Sequence, residues 1–406
     1  MRLQHGEKGG KEIGLPWLLL AELATWIGAS FIWPLTSVYL NKRLGISLSV
    51  IGIVLFCNCA ANMVGSTLGG RLFDRLNPYP LIVGGMLTDA FVLLLMAFFH
   101  GWPIYWFWLI CTGFLGGWDG AVINSIATSL RKYPGRYVFN ILYFAQNLGV
   151  VIGTLIVGYL YDYSIELLFI IASVLYAIGG VIAIFKFRPI ISYHDRRKAR
   201  KAAGQAPAKT EPMPKANFMM TMGFYITLGV TWLMYMNWES NLSVYMVSLG
   251  IPFHLYSTLW TINASIIVIV QLILARFPGI FKTIYHQIFF GVFMFAVSWL
   301  TLIFAKTYPG FVLSMSILTL GESTAFSAIP ALVNDMSPYT SKGKYQGLTL
   351  VASGVGRALG PLFGGTLIDL FGYKAMFIVA SSGIFLCLFF LIPLRSKMKD
   401  KLQLYK

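Results

Sequence analysis

The sequence predicts an all-α membrane protein in which twelve transmembrane helices form two pseudo-symmetric six-helix bundles. Three observations carry that prediction. Of the 406 residues, 57% are hydrophobic and only 11% charged, with a mean hydropathy of +0.72. A soluble domain carries roughly 25% charged residues, so the bilayer must be the solvent. The apolar residues come in about twelve runs, each near the 20 residues or so that cross the hydrocarbon core. Finally, the chain repeats itself at about half its length, and repetition constrains a fold more than any local signal does.

The repeat is a run of glycines ending in an acid, found three times. It reads Gly65, Gly70, Leu72, Asp74; then Gly153, Gly158, Leu160, Asp162; then Gly360, Gly365, Leu367, Asp369. Matching loops, Gly135-Arg136-Tyr137 and Gly343-Lys344-Tyr345, precede the second and third copies. In an apolar helix, glycines at this spacing let a second helix approach closely, and the terminal acid caps or pairs at the membrane surface.

Taken in order, the spans are expected at roughly 15–40, 46–74, 79–100, 103–130, 138–162, 165–188, 218–248, 252–277, 284–305, 309–335, 343–369 and 373–394. Turn or charge signals separate them: Asn41-Lys42-Arg43, Asn77-Pro78-Tyr79-Pro80, Tyr133-Pro134-Gly135, Phe277-Pro278-Gly279 and Ser337-Pro338. Spans one to six make an N-terminal bundle over 1–188, and spans seven to twelve a C-terminal bundle over 218–406. Between them, 189–217 is polar, with Arg196-Arg197-Lys198-Ala199-Arg200-Lys201 followed by an Ala/Pro/Gly-rich run. A basic segment on anionic lipid leading into a flexible tether is the simplest reading.

The net charge of +16 would suggest nucleic acid in a soluble protein. Here the basic residues fall mostly on one side of the spans. Arg75, Arg131, Lys132, Arg136, Arg276, Lys282, Lys342 and Lys344 share a side with both termini, against Lys42, Arg43, Lys306 and Lys374 on the other. Positive charge marks the cytoplasmic side, so both termini are expected in the cytoplasm. The first span lacks a small-residue cleavage site after Lys8 and Lys11, and is expected to be retained. The four cysteines lie inside apolar runs and read as small buried side chains.

Two six-helix halves joined by a basic linker resemble the major facilitator superfamily over nearly the whole chain. The family's signature between its second and third helices is matched by Gly70, Leu72, Asp74 and Arg75. The resemblance implies that Asp74 and Arg75 latch the cytoplasmic side of one half against the other. Downstream the pattern departs, with Asn77, Pro78 and Tyr79 where a glycine and basic residues are usual, so the latch would rest on Asp74, Arg75 and Arg71. The resemblance also implies a bacterial plasma-membrane monomer with a central cavity that works by rocking of the halves.

Ionisable groups inside a membrane helix are costly and are functional candidates by default. Five acids qualify, Glu22, Asp89, Asp119, Glu239 and Glu322, with Arg357 as the one base well inside a span. One base cannot neutralise five acids, so some must be protonated during part of a cycle. Glu322, in Leu320-Gly321-Glu322, and Glu239, in span seven, resemble acids of the drug/proton antiporters of Gram-positive bacteria. Ala145-Gln146-Asn147-Leu148-Gly149 in span five is similar to that group too, although Leu142 and Tyr143 stand where it can carry an acid. The candidate proton-coupling residues are Glu322, Glu239, Asp119 and Glu22. The candidate substrate-binding residues are Glu239, Glu322, Trp238, Tyr235, Trp118, Asn124, Gln146, Asn147 and Arg357, with Arg357 expected to pair with an acid such as Glu322. A structural hydrogen bond is the favoured reading of Asp89. Trp26, Trp33, Trp260 and Phe326 are further candidates to line a pocket where cation–π contacts suit lipophilic cations.

Nothing indicates an enzyme: no phosphate loop, no histidine cluster and no nucleophile motif is present. The expected function is proton-driven export of lipophilic, cationic compounds, without a cofactor. Alternatives are a proton symporter for a sugar or organic acid, a lipid flippase, or a receptor that transports nothing.

Overall fold

The computed structural model describes residues 13–127, 130, 135–161, 163–188, 212–277, 279–338 and 341–405. The described residues are almost entirely helical. In chain order the helices are α1 (Leu15–Val38, continued by a π turn, Tyr39–Arg43), α2 (Leu48–Arg75), α3 (Pro78–Phe98), α4 (Ile104–Ala127), α5 (Gly135–Leu160) and α6 (Ile165–Lys186). They continue with α7 (Lys215–Ser248), α8 (Phe253–Arg276), α9 (Ile284–Phe304), α10 (Tyr308–Met336) and α11 (Lys342–Met398). Among the described residues, eleven helices are long and apolar enough to cross a membrane.

The sequence sets several of the starts. Asn77 accepts a hydrogen bond from the Tyr79 N–H at 3.1 Å and Pro78 opens α3; Ser164 caps α6 through the Leu167 N–H at 3.1 Å. Such caps satisfy the first N–H groups of a helix, which have no partner inside it. α11 runs for 57 residues, and at Gly372 the backbone turns to φ 82°, ψ 169°, which is not helical. A glycine adopts that conformation without penalty. The expected break between spans eleven and twelve is therefore one residue wide, and α11 consists of two limbs, each over the length one crossing requires.

The described residues fall into two compact units. One comprises those within Met1–Ile32 and Cys57–Ala206, the other those within Trp33–Phe56 and Pro207–Lys406. Large apolar side chains remain exposed on both, among them Phe185 at 71%, Phe304 at 81% and Leu350 at 73%. Water would not tolerate so much apolar surface; lipid does.

In the first unit a core of Leu18, Ile82, Met86, Val122, Ile126 and Ala183 joins α1, α3, α4 and α6. Glycines bring the backbones together. A methyl at Gly65 would overlap the Phe114 carbonyl, and one at Gly117 the Asn62 carbonyl, so α2 and α4 touch main chain to main chain. Gly149 and Gly153 seat α5 against Trp26, Ile27 and Ser30 of α1.

The second unit repeats the last arrangement. Gly356 and Gly360 seat the first limb of α11 against the Gly229 and Leu233 carbonyls of α7. The glycines that recur in sequence thus do the same job twice. Gly70 is different, since a methyl there meets nothing within 4 Å, so this member of the motif is not a packing glycine. Gly365 closes on the Leu48 carbonyl and Gly52 on Pro361 and Leu362, which places the start of α2 on α11. At the other end, buried Asn217 donates to the Met336 carbonyl at 2.8 Å and to the Gln403 carbonyl at 2.7 Å, and accepts from the Gln403 N–H at 3.0 Å. The segment after α11 is thereby fastened to α7 and α10.

Candidate functional site

Two of the predicted acids come together in the second unit. Glu322 lies midway along α10, and its Oε2 accepts a 2.8 Å hydrogen bond from the Asn263 amide on α8. The same amide reaches Thr319 at 2.9 Å, one turn before Glu322, and the Tyr235 hydroxyl of α7 also bonds Glu322. Glu239 stands one turn beyond Tyr235 on the same face of α7. The Glu322 and Arg357 charges both act on Glu239. Arg357, expected to pair with an acid such as Glu322, acts on Glu239, and its guanidinium lies 5.1 Å from the Trp232 ring centre.

An aromatic wall flanks these groups. Trp232 stacks on Phe326 at 4.5 Å, with an angle of 11° between the rings. Tyr235 meets Trp232, Phe326, Phe295 and Trp260 edge-on at 5.2 to 6.3 Å. Trp232 and Phe326 are only partly buried, as are Glu239 and Glu322. Flat π surface beside carboxylates is chemically suited to organic cations. Trp232 and Asn263 are not among the residues that sequence reasoning selects. The spacing 232, 235, 239 puts Trp232 on the Glu239 face and could have revealed it, whereas Asn263 is an isolated amide in an apolar span.

In the first unit Glu22 of α1 is 2% exposed, and its Oε1 accepts from Gln146 of α5 at 2.7 Å and from Trp26 at 2.9 Å. Two sequence candidates from different helices thus meet directly. Asp119 of α4 and Asp89 of α3 are buried, and the two interact electrostatically. Of Asp89, for which a structural hydrogen bond is the favoured reading, Oδ1 has no partner. The Trp118 indole ties α4 to α3 by donating to the Leu81 carbonyl at 3.1 Å.

Other candidates lie elsewhere. Trp238 is fully buried and packs edge-on against Trp299 at 6.2 Å, in the core behind Glu239. Asn147 donates to the Tyr143 carbonyl of its own helix at 2.7 Å, and Asn124 is exposed. The side chains of Trp33, Asp74 and Arg75 lie outside the described residues, as does Asp162. No group of three metal-ligating side chains is gathered among the described residues, and the four cysteines are free.

The profile described as Major Facilitator Superfamily matches residues 18–285 and 286–403. The chain is 35% identical over 353 residues to the uncharacterized MFS-type transporter YttB of Bacillus subtilis, covering 86% of this chain and 87% of that one. It is 22% identical over 369 residues to the multidrug resistance protein MdtH of Proteus mirabilis, covering 89% and 88%. Among solved structures, a POT family transporter in complex with a thioalcohol-conjugated peptide superposes with a TM-score of 0.78 at 14% identity, covering 95% of this chain and 96% of that one. At that identity the likeness speaks for the fold alone. The chain is a multi-pass membrane transporter, not an enzyme, and it belongs to the Major Facilitator Superfamily.

Proposed function

We propose that the protein exports lipophilic cations in exchange for protons by alternating access. The observation that carries this reading is Glu322, whose carboxylate is held by Asn263 and Tyr235 beside the Trp232–Phe326 stack. Glu322 and Glu239 take the proton and the cation in turn: with the Arg357 charge counted, the pair carrying one proton is neutral and the deprotonated pair keeps one negative charge to hold a cation. Tyr235, Trp232 and Phe326 supply the flat apolar surface, and Arg357 supplies a competing positive charge. Asp119 and Glu22 are further acids on the proton path, with Gln146 and Trp118 ordering that region. Relatives named as multidrug resistance proteins support the substrate class.

In this reading each limb of α11 is a crossing, which makes twelve, in an N-terminal bundle over 1–188 and a C-terminal one over 218–406. Both termini face the cytoplasm of a bacterial cell, and Gly70, Asp74 and Arg75 form the cytoplasmic latch.

The test is proton movement in inside-out vesicles that hold an imposed pH gradient. Ethidium should collapse the gradient in the wild type but not in Glu322→Gln. No ethidium-linked proton flux in the wild type would defeat the reading, and sugars, organic acids and lipids would be tried next.

A further inference from the structure

The first unit contains two buried carboxylates, of which three oxygens have no hydrogen-bond donor. Asp119 is 5% exposed and neither of its oxygens has a hydrogen-bond partner; Asp89 is 1% exposed and its Oδ1 has none. Their placement is specific. Gly85 of α3 lies so close to Asp119 that a methyl there would overlap the carboxylate. Asp89 is one turn further along that same face of α3, so a missing side chain on α3 gives Asp119 its room beside Asp89.

The titratable groups around the pair come from three helices. The charges acting on Asp119 are those of Asp89 and of Glu22 on α1, both of its own sign. The Tyr176 phenol of α6 interacts with all three acids, and Cys111 of α4 lies near Asp89. Gln146 of α5, which is neutral, spends its donor on Glu22. Glu22 therefore has two hydrogen bonds to support a charge, whereas Asp119 has none. Two buried carboxylates that act on each other in a medium without water cannot both ionise cheaply. With no third ligating group for a metal among the described residues, the ligand that fits is a proton.

We propose that Asp119 and Asp89 form a second proton site, so that two protons enter for each cation exported. This rests on the exchange proposed above and adds its stoichiometry. One proton binds at the Glu239–Glu322 pair and one at a carboxylate oxygen of the Asp89–Asp119 pair; both are released on the opposite side. Exchange of two protons for one monovalent cation carries one net positive charge inward, so the membrane potential drives it as well as the pH gradient.

The experiment is a reversal measurement on the full chain in liposomes, with the potential clamped at zero by potassium and valinomycin. Across one pH unit, two-proton exchange balances an ethidium gradient of about 100-fold and one-proton exchange about tenfold. The wild type is expected at the higher value and Asp119→Asn at the lower. Asp89→Asn, also expected at the lower value, replaces it if Asp119→Asn does not elute from a sizing column as the wild type does. A wild type balancing at about tenfold, or variants balancing at about 100-fold, would overturn the second site while leaving proton exchange intact. Glu322→Gln, which abolishes coupling only if the underlying exchange is as proposed, separates failure of that reading from failure of the stoichiometry.

Discussion

Asp369 accepts two hydrogen bonds of 2.7 Å from Ser49, one from the backbone N–H and one from the hydroxyl. The acid closing the third glycine run thus caps the N-terminal turn of α2 from 320 residues away. A carboxylate there meets the exposed N–H groups and the positive end of the helix dipole, worth about 0.3–1 kcal/mol at a surface. Asp369→Asn is expected to lower stability by about 1 kcal/mol, and Ser49→Ala by less. The double variant should cost little more than Asp369→Asn alone, because both changes break one contact. Thermal unfolding in detergent measures all three, and simple additivity would show that the contact contributes nothing.

The glycines of the motif divide by what they face. Gly153 and Gly360 each sit on the main chain of a neighbouring helix, so Gly153→Ala and Gly360→Ala should each destabilise by about 1–3 kcal/mol through overpacking. Gly70→Ala has open space and should be stabilising by about 0.5–1 kcal/mol, the helix-propensity gain. Comparing the unfolding temperatures of the three variants checks both statements.

Asn263 is the direct support of Glu322. Asn263→Leu keeps the size and removes the donor, leaving the carboxylate without a charge-assisted hydrogen bond of about 1.5–3 kcal/mol. Ethidium-linked proton flux should fall about tenfold or more, with the protein still folded by sizing. Unchanged flux would remove Asn263 from the site.

Arg357 stands by the Trp232 ring, the surface a cationic substrate would use, and its charge also acts on Glu239. Arg357→Gln frees that ring face for the substrate. Ethidium binding should tighten about 2- to 30-fold, the equivalent of a single cation–π interaction. Fluorescence titration of the purified protein reads the dissociation constant directly. Weaker binding in the variant would mean that Arg357 helps to hold the substrate.

What is legible in the sequence is whatever has a one-dimensional signature. The recurrence of Gly153 at Gly360 is a spacing, and it corresponds to two helix pairs packed alike. Glu22, Asp119, Glu239 and Glu322 stand out because charged residues are rare in apolar runs. Relations across helices are not legible. Asn263 belongs with Glu322 only because α8 packs on α10, and Ser49 belongs with Asp369 only because α2 starts against α11. Gly70 shows the converse: it holds the same place in the motif as Gly365, yet a methyl at Gly70 meets nothing within 4 Å. The sequence places Gly372 within a turn between two spans, and a single residue with positive φ performs that turn and separates the two limbs of α11.

The Asn217 clamp has a consequence for how the chain is made. One buried amide joins the start of α7, the end of α10 and the segment around Gln403, which lies 186 residues downstream. During synthesis α7 and α10 enter the membrane long before Gln403 emerges from the ribosome. Until then the Asn217 amide lacks one of its two acceptors, and a buried polar group without its partner is costly. The segment around Gln403 then supplies the second acceptor and closes the ends of α7 and α10. Assembly of this unit is in that sense timed by translation.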